Sequence, residues 1–335
     1  MKKIIVFGAT GNIGVYLVDY LTRALNCNEY EVIAVGRRET DYFSRQGICY
    51  IKCDITNRDD FDALPTDNVY AVINTTGLLP AYTQNLDPFE YVDTNICGSL
   101  GILEYSRKVG ADRVLYTQTW AEQGGYWGKE EVLSPGMPRK LVYTGDHAFY
   151  AITKTMVVET MKHYKYEYGL KDFVFRLPNV YMYHPDVYYY VDGKPRITAY
   201  RYMIEKAIKG ESIEMWGNPD AFKDILYIKD LCQMMYKALF AARDGGIYNA
   251  GTGIRTTLRE QIEGIIEVFS PKDKKSTIIP KPDGAGFTSF VMDIGNAREE
   301  LGYEPEYMYK DYLLDYKSER ELKRFDDLWK SRRRE

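Results

Sequence analysis

The run IIVFGATGNIGVYLVDYLTRAL at residues 4–25 decides how this chain begins to fold. A short β-branched run, a glycine-rich turn and an amphipathic stretch follow one another, which is the order of a dinucleotide-binding βα unit. Gly8 permits a tight turn, Gly11 lets the backbone approach a pyrophosphate, and Gly14 lets the helix pack closely. The free N–H groups at the start of the helix would face the phosphates. The pattern therefore predicts a dinucleotide site, and a tight turn without a ligand is the alternative.

Further β-branched runs alternate with helical patterns downstream of this unit. Strands are predicted at residues 31–35, 48–53, 69–74 and 113–116, and helices at residues 58–64 and 91–109. Such alternation is typical of an α/β fold with a parallel, doubly wound sheet. In these sheets the ligand lies beyond the carboxyl ends of the strands. We therefore expect Asp54, residues 75–77 and residues 117–119 to border the ligand.

Composition and charge exclude several other classes of protein. The 335 residues are 45% hydrophobic and 27% charged, which are ordinary globular values. A net charge of −4 argues against a general nucleic-acid binder. No apolar run approaches the roughly 20 residues of a membrane span, so no membrane association is expected. Five cysteines without paired spacing and three histidines support neither a disulfide framework nor a metal site, and a reducing cytoplasm fits best.

The residues after the second predicted strand bear on the choice of cofactor. An NAD-binding unit places a carboxylate roughly 20 residues beyond the glycines to hold the ribose 2′-hydroxyl, whereas arginine suits a 2′-phosphate. This chain has Gly36 there, followed by Arg37 and Arg38. The cofactor is therefore NADP or NAD, with NADP favoured, and two solvated loop charges are the alternative.

Tyr150 and Lys154 are four residues apart in the helical run HAFYAITKTMVVETMKHY. On a helix both side chains leave from one face. An ammonium close to a phenol can lower its pKa from about 10 by roughly one to three units. Tyr150 is therefore a candidate general base. The alternative is an exposed amphipathic helix.

Taken together, the motifs resemble the extended short-chain dehydrogenase/reductase family, which comprises nucleotide-sugar epimerases, dehydratases and ketoreductases. The resemblance covers nearly the whole chain, in family order. Its motifs are GATGNIG at 8–14, CDIT at 53–56, NTTG at 74–77, TNICGS at 94–99, RVLYTQT at 113–119, YAITK at 150–154, RLPNVY at 176–181, KDILYIKDL at 223–231, IYNAGTG at 247–253 and MDIGNAREELGYEPEY at 292–307.

This resemblance implies a role for each matching residue. Tyr150 would transfer the proton, Lys154 would bind the nicotinamide ribose and hold Tyr150 acidic, and the Thr119 hydroxyl would bond the reacting sugar oxygen. A hydroxyl that caps the next turn is the alternative for Thr119. The implied cofactor contacts are Gly8, Thr10, Gly11, Asn12, Ile13, Gly14, Arg37, Arg38, Asp54, Ile55, Thr75, Thr76, Gly77, Asn95 and Lys154. The implied substrate contacts are Asn179, Lys223 and Tyr188.

Three departures from the family pattern limit the reaction. Dehydratases follow the threonine with an Asp-Glu pair, whereas Thr119 precedes Trp120-Ala121, which argues against 4,6-dehydration. Met182 replaces a glycine. Lys223 replaces an arginine, and lysine meets a diphosphate as a point charge without the bidentate fork.

The resemblance also implies a Rossmann-type sheet with a smaller C-terminal substrate lobe. We predict a dinucleotide-binding domain at 1–178, to which strands near 224–228 and 247–249 return, and a mostly substrate-binding lobe at 179–320. Residues 321–335 are predicted to be a charged, solvated C-terminal tail. Tyr188 and the two tyrosines after it would stack on the nucleotide sugar, or fill the lobe core or a dimer contact.

The resulting functional prediction is a nucleotide-sugar epimerase similar to UDP-glucose 4-epimerase. An NADPH-dependent nucleotide-sugar ketoreductase is the alternative, and a dinucleotide-binding regulator without turnover is a third. Epimerase relatives often pair through the helices predicted here at 91–109 and 150–164, so the resemblance also implies a homodimer.

Overall fold

The computed structural model describes residues 1–82, 87–284 and 286–330. Its strands are β1 (Lys2–Phe7), β2 (Tyr30–Gly36), β3 (Cys49–Lys52), β4 (Val69–Asn74), β5 (Arg113–Thr119), β6 (Val132–Leu133), β7 (Lys171–Leu177), β8 (Val180–Tyr181), β9 (Tyr188–Val191), β10 (Lys194–Ile197), β11 (Ile213–Trp216), β12 (Phe222–Lys223), β13 (Leu226–Tyr227), β14 (Gly245–Asn249), β15 (Thr256–Thr257), β16 (Ile278–Lys281) and β17 (Val291–Met292).

Ten α-helices accompany these strands in the described part of the chain. They are α1 (Asn12–Ala24), α2 (Pro88–Tyr91), α3 (Ser99–Lys108), α4 (Asp146–Tyr168), α5 (Ala199–Ile208), α6 (Ile228–Phe240), α7 (Leu258–Phe269), α8 (Gly295–Leu301), α9 (Tyr309–Leu322) and α10 (Asp326–Lys330). No helix among the described residues combines the length and the apolar character needed to cross a bilayer.

A seven-stranded parallel sheet carries the fold, in the order β14-β7-β5-β4-β1-β2-β3. The chain moves outward from β1 to β3, returns to β4 beside β1, and then continues in the other direction. This reversal beside β1 is the switch point of a doubly wound sheet, where the carboxyl ends of two neighbouring strands diverge and leave a crevice. The predicted α/β, Rossmann-type fold is confirmed.

Residues that alternate along β1 separate two hydrophobic cores. Ile4 and Val6 belong to the core that α1 and α6 cover, whereas Ile5 and Phe7 belong to the core that α3 and α4 cover. A strand buried on both faces reads as a continuous apolar run, which is the pattern at residues 4–7. The core on the α1 side continues into α5, α7 and α9, so it crosses the predicted boundary at residue 178.

Two segments differ from the strands and helices predicted from the sequence. Of the strands expected to return to the sheet, β14 does so at its edge beside β7. By contrast, β13 pairs with β8 in a separate two-stranded sheet. The helix predicted at 91–109 is helical without a break but changes its hydrogen-bonding pattern, because the π-helix Val92–Gly98 lies between α2 and α3.

The prediction of a solvated C-terminal tail is wrong for the described part of that segment, because its apolar side chains are buried. Phe325, Leu328 and Trp329 are at most 3% exposed, and the rings of Phe325 and Trp329 pack on Tyr16 of α1. Arg324 adds ion pairs at 2.9 Å to Asp19 and 2.6 Å to Glu319. The three apolar residues have helical spacing, so they reach one face although charges separate them in sequence. Residues 331–335 lie outside the described residues.

Candidate active site

The glycine turn at residues 8–14 has no room for side chains where a phosphate would approach. Gly8 has a φ of +80°, which side chains disfavour. A Cβ on Gly14 would lie 2.1 Å from the carbonyl oxygen of Gly8, and one on Gly11 would lie 2.8 Å from it. α1 begins at Asn12 without a side-chain cap from Gly11, so its first N–H groups can bind an anion. The turn fits a dinucleotide pyrophosphate.

The end of β4 closes the other side of this turn. The Thr75 hydroxyl donates to the Phe7 carbonyl oxygen at 2.8 Å, and a Cβ on Gly8 would meet it at 2.7 Å. The Asn12 amide donates to the Tyr82 hydroxyl at 2.9 Å, so the segment after β4 crosses the start of α1. The predicted contacts Thr10, Ile13 and Thr76 border the same turn or strand end.

The structure brings Thr119 and Tyr150 together. Thr119 is the last residue of β5 and Tyr150 lies in the second turn of α4, yet their side chains are close enough that hydrogen bonding to Thr119 lowers the pKa of the Tyr150 phenol. The Thr119 oxygen also accepts the N–H of Ala121 at 3.2 Å, so it caps the following 3₁₀ turn as well. The two roles proposed as alternatives for Thr119 are therefore compatible.

The predicted direction of the Tyr150 pKa is wrong for this structure. Burial raises the pKa of the Tyr150 phenol well above its usual value, neighbouring Tyr91 adds to the rise, and the hydrogen bond with Thr119 opposes it in part. Burial also lowers the pKa of Lys154 to about 7, so near neutral pH its amine carries only part of a positive charge. Burial removes water from both groups and so disfavours the charged form of each, an effect that the prediction from helical spacing did not include.

Lys154 points toward the end of β4. Its Nζ donates to the Thr76 carbonyl oxygen at 3.3 Å and lies 4.1 Å from the centre of the Tyr116 ring. A Cβ on Gly77 would lie 3.5 Å from that Nζ. Glycine here therefore keeps an open face beside the amine.

Asn95 links this strand end to α4 from within the π-helix. Its Oδ1 accepts the Leu78 N–H at 2.7 Å, and its Nδ2 donates to the Thr153 hydroxyl at 3.1 Å. Both side-chain groups are used inside the protein, and Asn95 is buried. Its role in this structure is to hold the segment after Gly77 against the helix of Tyr150 and Lys154.

The residues predicted to select the cofactor lie at the carboxyl end of β2. Gly36 packs closely, since a Cβ there would lie 3.1 Å from the Thr10 hydroxyl and 3.2 Å from the Tyr50 hydroxyl. Tyr50 donates to the carbonyl oxygens of Gly36 and Arg38, which shapes the loop. Arg37 is exposed and Arg38 is half-buried. Tyr50 was not singled out by its sequence, because its neighbours along β3 suggest only a strand.

Asp54 and Ile55 follow β3 at the same edge. The Asp54 carboxylate accepts the N–H and the hydroxyl of Thr56 at 3.0 Å and 2.8 Å, so it shapes the turn. Ile55 packs against Gly98, where an added Cβ would lie 2.6 Å from its side chain. Both residues border the crevice beyond the strand ends.

Asn179 and Lys223 lie on neighbouring segments. Asn179 is exposed just before β8, and Lys223 ends β12, three residues before Leu226, which pairs with Val180. Burial lowers the pKa of Lys223, and its Nζ lies 4.0 Å from the centre of the Phe287 ring. Within the described residues no carboxylate lies at ion-pairing distance from Lys223.

Tyr188 is half exposed on the hairpin formed by β9 and β10. That hairpin packs against the 3₁₀ turn Pro80–Tyr82, beside the segment that crosses the glycine turn. Among the described residues, no hydrogen bond or ring contact joins Tyr188 to Thr119, Tyr150 or Lys154. The structure therefore places it at the border of the crevice, apart from the reacting groups.

Fold and site together define a dinucleotide-binding α/β enzyme. Residues 4–251 match the model of the NAD dependent epimerase/dehydratase family, and the chain belongs to this family, which confirms the predicted resemblance.

Similar proteins span nearly the whole chain. A putative UDP-glucose 4-epimerase of Methanocaldococcus jannaschii is 26% identical over 92% of this chain and 95% of its own. The UDP-glucose 4-epimerase of Thermotoga maritima, solved with UDP-glucose, superposes with a TM-score of 0.74 at 23% identity, covering 95% of this chain and 99% of that one. The UDP-glucuronic acid 4-epimerase of Bacillus cereus, solved with NAD, gives a TM-score of 0.70 at 19% identity, with coverage of 95% and 97%.

Proposed function

We propose that this protein is a nucleotide-sugar 4-epimerase in which Tyr150 transfers the proton. The observation that carries the proposal is that Tyr150 of α4 interacts with Thr119 at the end of β5, while Lys154 of the same helix reaches the end of β4 beside the glycine turn. The carboxylate in the turn after Thr119, Glu122, is fully buried and paired with two arginines. It is therefore unsuited to the acid–base step of a dehydratase.

The chain's own groups divide the work of the reaction. Tyr150 takes the proton from the sugar hydroxyl and returns one after the ring has turned. Thr119 donates a hydrogen bond to the same sugar oxygen, and Lys154 in its charged form stabilises the phenolate. The dinucleotide supplies the hydride acceptor and donor when it is bound. Because the pKa of Tyr150 is raised, activity should increase with pH until Lys154, whose pKa is about 7, loses the charge that stabilises the phenolate.

Lys223 and Asn179 are proposed to hold the diphosphate of the substrate. An ammonium that is largely removed from water, and without a carboxylate partner in the described residues, is suited to an anionic ligand. The solved relatives bind UDP-glucose or, in another complex, UDP-glucuronic acid with NAD. UDP-hexoses are therefore the first substrates to test.

A nucleotide-sugar ketoreductase is the second candidate, and the arginines after β2 favour it. Arg37 and Arg38 follow a glycine where NAD-binding units place a carboxylate. A 2′-phosphate would meet positive charge there. We propose that NADP is the preferred dinucleotide if the protein is a ketoreductase, and NAD if it is an epimerase.

Purified protein distinguishes the two candidates. The retained dinucleotide is identified, and UDP-glucose, UDP-galactose and UDP-glucuronic acid are incubated with the enzyme. Inversion of the sugar without net change in the reduced-nicotinamide absorbance supports the epimerase. These sugars carry an alcohol at the reacting carbon, so a reductase would act on them only in reverse, and steady reduction of added NADP⁺, or loss of NADPH with a 4-keto nucleotide sugar, supports the reductase.

Tyr150→Phe tests the role of the phenol in either reaction. The variant should lose turnover and keep dinucleotide binding, because the ring remains and only the proton-transferring oxygen is removed. Tyr166→Phe on the same helix, where the ring is 85% exposed, is the matched control and should behave as the parent. Turnover by Tyr150→Phe at the parental rate would refute the assignment.

We also propose a homodimer, paired through α3 and α4. Leu100 on α3 and Met156 on α4 are exposed although both are apolar. A light-scattering mass near that of one chain would contradict the dimer. A cytoplasmic location stays a prediction from the five cysteines, all of which are free thiols.

A further inference from the structure

A buried ion-pair cluster lies directly behind Thr119. Glu122 is 0% exposed, and its Oε1 accepts from Arg176 Nε at 2.7 Å and pairs with Arg176 Nη2 at 2.6 Å. Its Oε2 accepts from Arg139 Nε at 3.0 Å. A carboxylate removed from water this completely needs such partners. The cluster joins β7, the turn after β5 and the segment that leads into α4.

Gln118 connects this cluster to the backbone of Thr119. Its Oε1 accepts the Thr119 N–H at 2.8 Å, and its Nε2 donates to Glu122 Oε2 at 3.0 Å. The second Nε2 hydrogen faces the Thr155 hydroxyl at 3.4 Å, and Thr155 is the neighbour of Lys154 on α4. The amide therefore bonds both chain segments that carry the reacting groups.

Glu122 gives this amide one orientation. A carboxylate accepts hydrogen bonds and a backbone N–H donates them, so each fits only one end of the Gln118 amide. If the amide were rotated by half a turn, its NH2 group would face the Thr119 N–H, which is also a donor. Its oxygen would face the Glu122 carboxylate, which is also an acceptor. Since the amide is buried, water cannot replace the lost bonds.

We propose that Gln118 and Glu122 are positioning residues, which hold Thr119 at the distance from Tyr150 that proton transfer requires. This inference rests on the proposed function. Neither residue touches the substrate or cofactor in this scheme. Gln118 acts through Thr119 and Thr155, while Glu122 acts through Gln118 and is itself held by Arg176 and Arg139.

Gln118→Leu is the first test, with Gln123→Leu as its matched control. Gln123 is also fully buried in the turn after β5, but its Nε2 donates to the Ser134 carbonyl oxygen at 3.0 Å and not toward Thr119. Misplacing a reacting group slightly is enough to slow a step strongly, so Gln118→Leu should lower kcat by about tenfold or more with KM little changed. Gln123→Leu should lower stability and leave kcat unchanged.

The pH profile separates positioning from a general loss of stability. The hydrogen bond from Thr119 lowers the pKa of Tyr150 against the effect of burial. If Gln118→Leu displaces Thr119, the acidic limb of the kcat profile should move to higher pH. A variant that is merely less stable would keep the parental limb.

A charge exchange provides the rescue. In Gln118→Glu alone, two carboxylates would face each other, and kcat should fall. Adding Glu122→Gln restores a donor opposite an acceptor and keeps the net charge beside Arg176 and Arg139. The double variant should therefore recover part of kcat and of the parental pH limb.

Failure of this inference is distinguishable from failure of the proposed function. Parental kcat and pH limb in Gln118→Leu, together with an inactive Tyr150→Phe, would overturn the positioning role alone. Turnover by Tyr150→Phe would overturn the function itself. If Gln118→Leu does not fold, the exchange decides, because a double variant no more active than Gln118→Glu overturns the proposal.

Discussion

Replacing Thr119 by valine removes one hydroxyl and keeps the shape of the side chain. In this structure the hydroxyl accepts the Ala121 N–H at 3.2 Å, and hydrogen bonding between it and Tyr150 lowers the pKa of that phenol. Loss of the cap should lower the free energy of unfolding by about 1 kcal/mol. Loss of a hydrogen bond to a group that becomes charged amounts to about 1.5–3 kcal/mol, which is about 10- to 150-fold in kcat.

The effect of Thr119 on the pKa of Tyr150 determines how the rate of Thr119→Val depends on pH. The hydrogen bond with Thr119 lowers the pKa of Tyr150, so its removal raises that pKa and leaves less phenolate at a given pH below it. Well below this raised pKa both enzymes gain phenolate in the same proportion as the pH rises, so the rate deficit should be nearly constant around neutral pH and become smaller only as the pH approaches the pKa.

Initial rates of UDP-sugar inversion, measured with dinucleotide content and KM across the pH range, test both statements. Thr119→Ser keeps the hydroxyl and is the control, with a rate close to the parental one. A Thr119→Val enzyme whose rate matches that of Thr119→Ser, or whose deficit grows as the pH rises, would refute the reasoning.

Three further outcomes are expected. Arg176→Met should lower the free energy of unfolding by about 3–5 kcal/mol, because it leaves the buried Glu122 carboxylate without its main partner. Arg243→Met, in the exposed pair with Glu300, should change it by about 0–1 kcal/mol. Equal effects of the two variants in urea denaturation would contradict this. Gly14→Ala places a Cβ 2.1 Å from a backbone oxygen of the same turn and should abolish dinucleotide binding in a fluorescence titration, unlike Gly136→Ala, where nothing lies within 4 Å; retained affinity would argue against the turn as the phosphate site. Burial raises the pKa of Asp230 from 3.8 to about 7, so the folded protein binds this proton more tightly than the unfolded chain does. The free energy of unfolding should therefore decrease as the pH rises between these two values. Asp230→Asn should make this decrease shallower in denaturation measured at several pH values, and an unchanged slope would contradict it.

Much of the fold was predictable because it depends on local patterns. The β1 strand, the glycine turn and α1 occupy consecutive residues, and their hydrophobic period and glycine spacing are visible along the chain. Likewise, Tyr150 and Lys154 share a helix, so their spacing alone places them on one face.

Other features of the site depend on partners that are far away in sequence. Glu122 pairs with Arg176 across 54 positions, and nothing in TWAEQGG marks that glutamate as buried. For the same reason the sequence predicts only a charged tail for the C-terminal segment, since the contact of its apolar residues with Tyr16 involves the other end of the chain.

By itself, the sequence determined the order of strands and helices, the glycine turn and the identity of the candidate proton-transfer groups, because each depends on residues that are neighbours along the chain or a helical turn apart. Only the tertiary structure decided the protonation of those groups and the cluster behind them. Burial depends on every element packed around a side chain, and it reversed the expected direction of the Tyr150 pKa. A phenol and an amine four residues apart have the same spacing in water and in a core, but the free energy of charging them differs between the two.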